Sequence, residues 1–333
     1  MKVAINGFGR IGRLVFRIME EDNDMEVVAV NDLGKPEDLA YLLKYDSSQG
    51  NYRKDEISFS SDELVVGSHK VKVFNESDPV NLPWGDMNID VVFECSGHFT
   101  DHDSAYKHIS AGASKVVISA PCKGDAKTVV YGVNESILDG SEKVISAASC
   151  TTNCLAPVLK VLEDNFGISM GYMTTIHAYT NDQSILDIAH KKGIKSRRGR
   201  AAALNIIPTS TGAATAIGKV IPSLDGKLKG SAMRVPVSDG SSIDLVLKLN
   251  KSVSSSDIND AFLSAKSESL DATYDPIVSS DVIGSTFGGV VDLSLTDVLG
   301  DNDQLVKVVA WYDNEFGYSS QMVRTAKYFV NLK

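Results

Sequence analysis

The chain has 333 residues, of which 43% are hydrophobic and 23% charged, with a formal net charge of −10 at pH 7. That length accommodates two domains with real cores, and the acidic balance argues against nucleic acid as the main partner. No apolar run is long enough to span a membrane, the first residues enter a strand pattern instead of a signal peptide, and four cysteines make no disulfide framework in a chain this size, so a cytoplasmic enzyme is expected.

Lys2-Val3-Ala4-Ile5-Asn6 predicts a short buried strand, and residues 13–21 have helical spacing through Leu14, Val15 and Ile18. Between them stands Gly7-Phe8-Gly9-Arg10-Ile11-Gly12, a G-x-G-x-x-G in the strand–turn–helix setting that a dinucleotide-binding turn requires. Gly7 permits the tight turn, Gly9 lets the backbone approach a pyrophosphate, and Gly12 lets helix and strand pack closely. The helix N-terminus then faces the phosphates. A second strand over residues 27–31 ends at Asp32, 20 residues beyond Gly12, where a carboxylate accepts from a ribose diol. An acid there repels a 2′-phosphate, which favours NAD over NADP; Lys35 weakens that preference slightly.

Further apolar runs at residues 91–93, 116–118, 129–131 and 144–145 alternate with helical stretches, notably residues 101–111. This alternation predicts an α/β domain with a Rossmann-type, doubly wound parallel sheet, whose cofactor crevice is lined by Ser96-Gly97 and Ser119-Ala120 just after two strands. Residues 47–75 alternate polar and apolar and predict a small antiparallel insertion. His98, His102 and His108 have no thiol or carboxylate cluster to complete a metal site, so no metal is expected. Cys95 and Cys122 are read as structural.

The run Ser149-Cys150-Thr151-Thr152-Asn153-Cys154 follows the strand at 144–148 and opens a helical stretch over residues 151–165. A cysteine at a helix N-terminus has unpaired N–H groups and the helix dipole in favour of its thiolate. It reads either as a nucleophile or as a small buried residue. Pro157 removes one donor inside that helix and predicts a kink. Residues 170–177 predict a strand ending in His177, an imidazole able to take the thiol proton and hold the thiolate as an ion pair. Strands at 230–237, 243–250, 290–295 and 306–311, with helices at 212–220 and 257–267, predict an α+β catalytic domain with a mostly antiparallel sheet. Residues 322–330 predict a closing helix. The expected domains are 1–149, completed by a C-terminal helix at about 316–333, and 150–315. Lys191, Lys192, Lys195, Arg197, Arg198 and Arg200 form a basic run that binds an anion or is a solvated loop.

Taken together the chain resembles the phosphorylating glyceraldehyde-3-phosphate dehydrogenase family over essentially its whole length. The resemblance is carried by residues 5–13 and 43–47, by Ala147-Ala148-Ser149-Cys150-Thr151-Thr152-Asn153-Cys154, by residues 177–182, by Ile206-Ile207-Pro208 with Thr211-Gly212-Ala213-Ala214, by Met233-Arg234-Val235-Pro236, and by Trp311-Tyr312-Asp313-Asn314-Glu315. It implies that Cys150 attacks the aldehyde carbon of glyceraldehyde 3-phosphate with His177 as base, that hydride leaves for NAD, and that inorganic phosphate cleaves the thioester to 1,3-bisphosphoglycerate, a step of glycolysis. It implies that Arg10 and Ile11 lie at the pyrophosphate turn, Asp32 at the adenosine ribose, and Ser119, Asn314 and Tyr318 on the nicotinamide side. It places Thr180, Asp182 and Arg234 around the substrate phosphate, and Ser149, Thr151, Thr211 and Gly212 around the attacking phosphate. Arg197 matches a family arginine near that second site, with Arg200 as the alternative in a loop that looks longer than in many relatives. A homotetramer is implied as well. Two readings stay open beside this one: an erythrose-4-phosphate dehydrogenase, which releases an acid by water attack, and a non-catalytic NAD-binding or surface-interaction protein on the same scaffold.

Overall fold

A computed structural model describes residues 1–300 and 303–332; residue 333, the end of the expected closing segment, lies outside them. The chain divides into two compact units, Met1–Ser149 with Ser319–Lys333, and Cys150–Tyr318.

The first unit is built on nine strands. These are β1 (Lys2–Asn6), β2 (Glu26–Asn31), β3 (Ile57–Phe59), β4 (Glu63–Val66), β5 (His69–Phe74), β6 (Val91–Glu94), β7 (Lys115–Ile118), β8 (Lys127–Thr128) and β9 (Val144–Ser146), in the order β3-β4-β5-β2-β1-β6-β7-β9-β8. From β5 to β8 neighbouring strands are parallel, and only the β3-β4-β5 insertion is antiparallel. Both faces of β1 are buried, as a central parallel strand requires. Val3 and Ile5 face one core with Phe8, Phe16 and Phe93, together with Met322, Val323 and Phe329 of the closing helix. Ala4 faces the other, with Trp84, Val92 and Val116.

Two sequence expectations need correcting here. The apolar run at 129–131 is not a strand: β8 ends at Thr128, and Asn134 bonds both the Val130 N–H and the Thr128 carbonyl, which turns the chain. The stretch 101–111 is two short helices, His102–Ala105 and Lys107–Ser110, not one.

In the second unit the sheet runs β11-β12-β10-β13-β17-β15-β14, with β16 also paired to β17. The ranges are β10 (Ile168–Ala178), β11 (Ile207–Ser210), β12 (Leu228–Val235), β13 (Ser241–Val253), β14 (Leu270–Thr273), β15 (Gly289–Asp292), β16 (Asp297–Val298) and β17 (Asp303–Tyr312). Most pairs are antiparallel; β10–β12 and β14–β15 are parallel. Alternation decides the faces. Along β13, Leu245, Leu247 and Leu249 are buried while Val246, Lys248 and Asn250 are exposed. Helix Cys150–Phe166 packs into this unit with Cys154, Leu155, Ala156, Val158, Leu159 and Leu162 buried, and it continues through Pro157.

Candidate active site

Within the second unit, strand register assembles the reactive centre. His177 ends β10 and lies opposite Arg234 of β12. Ser241 of β13 lies opposite Tyr312 of β17. Cys150 is the first residue of its helix, two residues after Ala148, whose φ of +59° marks a strained left-handed turn. The Cys150 Sγ stands 3.4 Å from His177 Nε2.

Burial disfavours charge on both partners of this pair. It raises the Cys150 thiol above its ordinary value, opposed by the neighbouring Arg234 guanidinium, and together with Arg234 it depresses the His177 imidazole to about 3. The pair therefore rests as neutral thiol and neutral imidazole, and the ion pair expected from the sequence is not its resting form. Low dielectric penalises two separated charges more than their mutual attraction returns.

Two tautomers divide the contacts of His177 Nδ1. A protonated Nδ1 donates to the Ala178 carbonyl at 2.7 Å and leaves the Nε2 lone pair facing the thiol. The other tautomer accepts from Arg234 NH1, also 2.7 Å away. Only the first makes Nε2 a base. Arg234 NH1 additionally donates to the Ala178 oxygen at 2.8 Å, while its Nε is buried with no hydrogen-bond partner. An unpaired cationic donor beside a nucleophile is suited to an anionic substrate group.

Tyr312 is the residue that sequence reasoning passed over. It is 1% exposed, its ring meets the His177 ring edge-on at 5.9 Å, and its hydroxyl bridges Thr151 Oγ1 and Thr175 Oγ1, each at 2.9 Å. Thr151, expected beside the attacking phosphate, thus has its hydroxyl engaged in the core.

The basic loop sorts itself differently from the expectation. Arg198 bonds Thr209 Oγ1 through Nε at 3.1 Å and pairs with Asp182 through NH1. Arg200 pairs with Asp187, and Arg197 is exposed. Asp182, expected at the substrate phosphate, also pairs with Lys191 at 3.2 Å, and its carbonyl bonds His190. A carboxylate so placed repels a phosphate; its visible work is to hold the cationic loop. Thr180 is half-buried and opens the turn that Gln183 closes. Thr211 Oγ1 accepts from Ala213 N at 3.2 Å, and Gly212 precedes the helix Ala213–Val220 with open space where a Cβ would be.

In the first unit the glycine turn has the shape a pyrophosphate needs. Gly7 has φ +90°, and a Cβ there would lie 2.5 Å from the Ser96 backbone. A Cβ on Gly12 would lie 2.1 Å from the Gly7 carbonyl, whereas one on Gly9 would meet nothing within 4 Å. That open space fronts the N-terminus of helix Arg10–Glu20, which has neither a side-chain cap nor an acid in its first turn. Ile11 is half-buried there, and Arg10 pairs with Asp46 at 3.0 Å. Asp32 is anchored by Phe8 N at 2.7 Å and Gly34 N at 2.8 Å, leaving each oxygen a second lone pair. Ser119 N bonds the Glu94 carbonyl at 2.9 Å, and its hydroxyl bonds the buried Cys95 thiol. Ser149 is half-buried. These residues fit a dinucleotide. In the second unit Asn314 and Tyr318 are buried, and Asn314 Oδ1 accepts from Ser241 Oγ at 2.6 Å. That bond fixes the Asn314 amide with its N–H₂ end as the donor.

Among the described residues no group of three histidine, cysteine, aspartate or glutamate side chains is placed to hold a metal ion. His108 instead accepts from Trp84 Nε1 and meets Glu94, both in the core.

Comparison with known proteins agrees with both halves of this picture. A family model described as "Glyceraldehyde 3-phosphate dehydrogenase, NAD binding domain" matches residues 1–102, and one described as its C-terminal domain matches residues 149–314. The chain is 56% identical over 332 residues to a protein of Clostridium pasteurianum named glyceraldehyde-3-phosphate dehydrogenase, with 99% of each chain covered. It is 57% identical over 332 residues to the protein of that name from Clostridium acetobutylicum, again across 99% of each. For that of Streptococcus pyogenes the figures are 52% over 334 residues, 100% of this chain and 99% of the other. The chain belongs to the glyceraldehyde-3-phosphate dehydrogenase family.

Proposed function

We propose that the protein oxidises glyceraldehyde 3-phosphate and phosphorylates the product to 1,3-bisphosphoglycerate, with NAD as oxidant, as a cytoplasmic enzyme of glycolysis. The observation that carries the reading is the Cys150 Sγ at 3.4 Å from His177 Nε2 at the start of a helix. Residues 1–149 with about 316–333 form the NAD-binding domain, and residues 150–315 the catalytic domain.

His177 Nε2 takes the thiol proton as Sγ attacks the aldehyde carbon, giving a thiohemiacetal on Cys150. The Ala178 carbonyl, holding Nδ1–H, keeps the imidazole in the tautomer that can do this. With its lone pair restored, His177 next removes the hydroxyl proton of the thiohemiacetal, which raises the carbon's tendency to expel hydride. NAD, when bound, is the hydride acceptor. Glycines 7, 9 and 12, with Arg10, Ile11 and Asp32, hold it; Ser119, Asn314 and Tyr318 serve the nicotinamide side. A thioester then remains on Cys150. Sulfur matters at this point, because a thioester keeps enough of the oxidation energy for phosphate, a weak nucleophile, to cleave it. Arg234 and Thr180 receive the substrate phosphate, with Asp182 holding the loop. Ser149, Thr211 and Gly212 receive the attacking phosphate, with Arg198 supplying the charge for which Arg197 was the sequence candidate.

The exposed apolar side chains Ile185, Leu186, Ile188 and Ile194 support a homotetramer, since a run of bare aliphatic residues on one loop suits burial against another copy.

The test is NADH formation from glyceraldehyde 3-phosphate with and without inorganic phosphate. The expected result is turnover that requires phosphate and is lost by at least ~10³-fold in Cys150→Ser, because a serine hydroxyl is not ionised at neutral pH and makes a poorer acyl carrier. Phosphate-independent release of an acid would favour the erythrose-4-phosphate type of chemistry. Undiminished NADH formation by the serine variant would overturn the cysteine mechanism.

A further inference from the structure

A buried pair of aspartates stands behind the reactive thiol, and no step above employs it. Asp239 follows β12 and is 2% exposed; Asp313 follows β17 and is 1% exposed. Their side chains are within hydrogen-bond reach of each other, which two ionised carboxylates in a dry site do not tolerate. The partners decide which of them keeps the proton. Asp313 accepts from three backbone N–H groups, Glu315 and Phe316 on Oδ1 at 2.8 and 2.7 Å and Gly284 on Oδ2 at 2.7 Å, the acceptor set of a carboxylate. Asp239 accepts only from Gly240 N at 2.8 Å among the bonds resolved to its oxygens. Gly240 itself cannot be replaced cheaply, since its φ is +80° and a Cβ would lie 1.9 Å from the Ser279 carbonyl.

From this pair two short routes lead to the reacting groups. Ser241, two residues after Asp239, donates to Asn314, which adjoins Asp313, and accepts from Ala178 N at 3.0 Å beside His177. The second route is through space: a negative charge on Asp239 opposes the Cys150 thiolate.

We infer that Asp239 and Asp313 share one proton and form a positioning pair, which in its protonated state holds the Ser241–Asn314 arm in place and keeps a negative charge away from Cys150. The groups facing Asp239 are Asp313 and Glu315 from the segment after β17, and Cys150 from its helix. His177 of β10, Arg234 of β12 and Arg198 of the basic loop surround the thiol in turn. Burial first, then the charges of Asp313 and Glu315, push the Asp239 carboxyl up to about 8. Above that pH the shared proton leaves, and the new charge works against thiolate formation. The pair thus sets an alkaline limit on a nucleophile that otherwise gains from rising pH.

This inference rests on Cys150 as the nucleophile, and its test reads the thiol with neither aldehyde nor nicotinamide present. The rate of Cys150 alkylation by iodoacetamide is followed against pH in the wild type and in Asp239→Asn, whose amide donates to Asp313 but gains no charge. At about pH 9 the variant should label roughly threefold faster, the effect of about half a unit in thiol pKa, and at about pH 6.5 the two should agree within about twofold. Superimposable profiles would overturn the inference while leaving the phosphate-dependent reaction untouched. An infrared titration of the wild-type protein decides the matter even if the variant does not fold. A protonated-carboxyl band that fades as pH rises through about 8 is expected, and its absence at neutral pH would refute the shared proton.

Discussion

Tyr312 shows how a residue that touches no substrate can govern one that does. Its hydroxyl is the only polar atom joining Thr151, next to the nucleophile, to Thr175, two residues before the base, among the hydrogen bonds described here. Tyr312→Phe keeps the ring against His177 and leaves both threonine hydroxyls short of a partner in the core. Stability should fall by about 1–3 kcal/mol, the cost of orphaned buried hydroxyls, measured by urea unfolding. The maximal rate should fall more than the Michaelis constant rises, because the Cys150–His177 distance loosens while the phosphate donors stay put. An unchanged unfolding midpoint and turnover would show that the bridge is idle. Arg198 teaches a related lesson. Three arginines within four positions are equivalent by spacing, and the one chosen is the one whose backbone turns it towards Thr209 and Asp182.

At the scale of an element, the turn after β1 separates folding from binding. Gly7 is required by the backbone, with a positive φ and the Ser96 main chain at 2.5 Å from any Cβ. Gly9 is required by nothing in the protein, since no atom lies within 4 Å of its would-be Cβ. Gly7→Ala should therefore cost about 2 kcal/mol or more in stability. Gly9→Ala should leave the thermal midpoint nearly unchanged and weaken NAD binding by at least ~10-fold, because its methyl takes the room left for a pyrophosphate. Calorimetry of unfolding and NAD titration of each variant check this; equal effects on both quantities in both variants would contradict it. The glycine motif was legible in the sequence because its setting, strand before and helix after, is local. The run at 129–131 misled for the opposite reason: its apolar side chains are buried, but Asn134 claims the backbone groups a strand would have used.

Over the whole molecule, a net charge of −10 coexists with a loop of concentrated positive charge and bare aliphatic side chains. Ile194 is 83% exposed and Ile185 86%, an arrangement that favours association with a second copy. Light scattering coupled to size exclusion should give a tetramer for the wild type and a smaller species for Ile194→Asp, since a carboxylate cannot be buried there unpaired. A wild-type monomer at assay concentration would remove the oligomer from the proposal.

The sequence by itself determined what is encoded within a few residues: the parallel sheet from alternating apolar runs, the dinucleotide turn from three glycines and Asp32, and the helix start that presents Cys150. Those features depend on local backbone conformation and side-chain period, which neighbouring residues dictate. Only the tertiary structure decided which groups far apart in the chain meet. Register across β10, β12, β13 and β17 brought Arg234 to His177, Tyr312 to Thr151, and Asp239 to Asp313. The protonation of those groups followed from the same step, because desolvation belongs to the packed site and not to any residue in it.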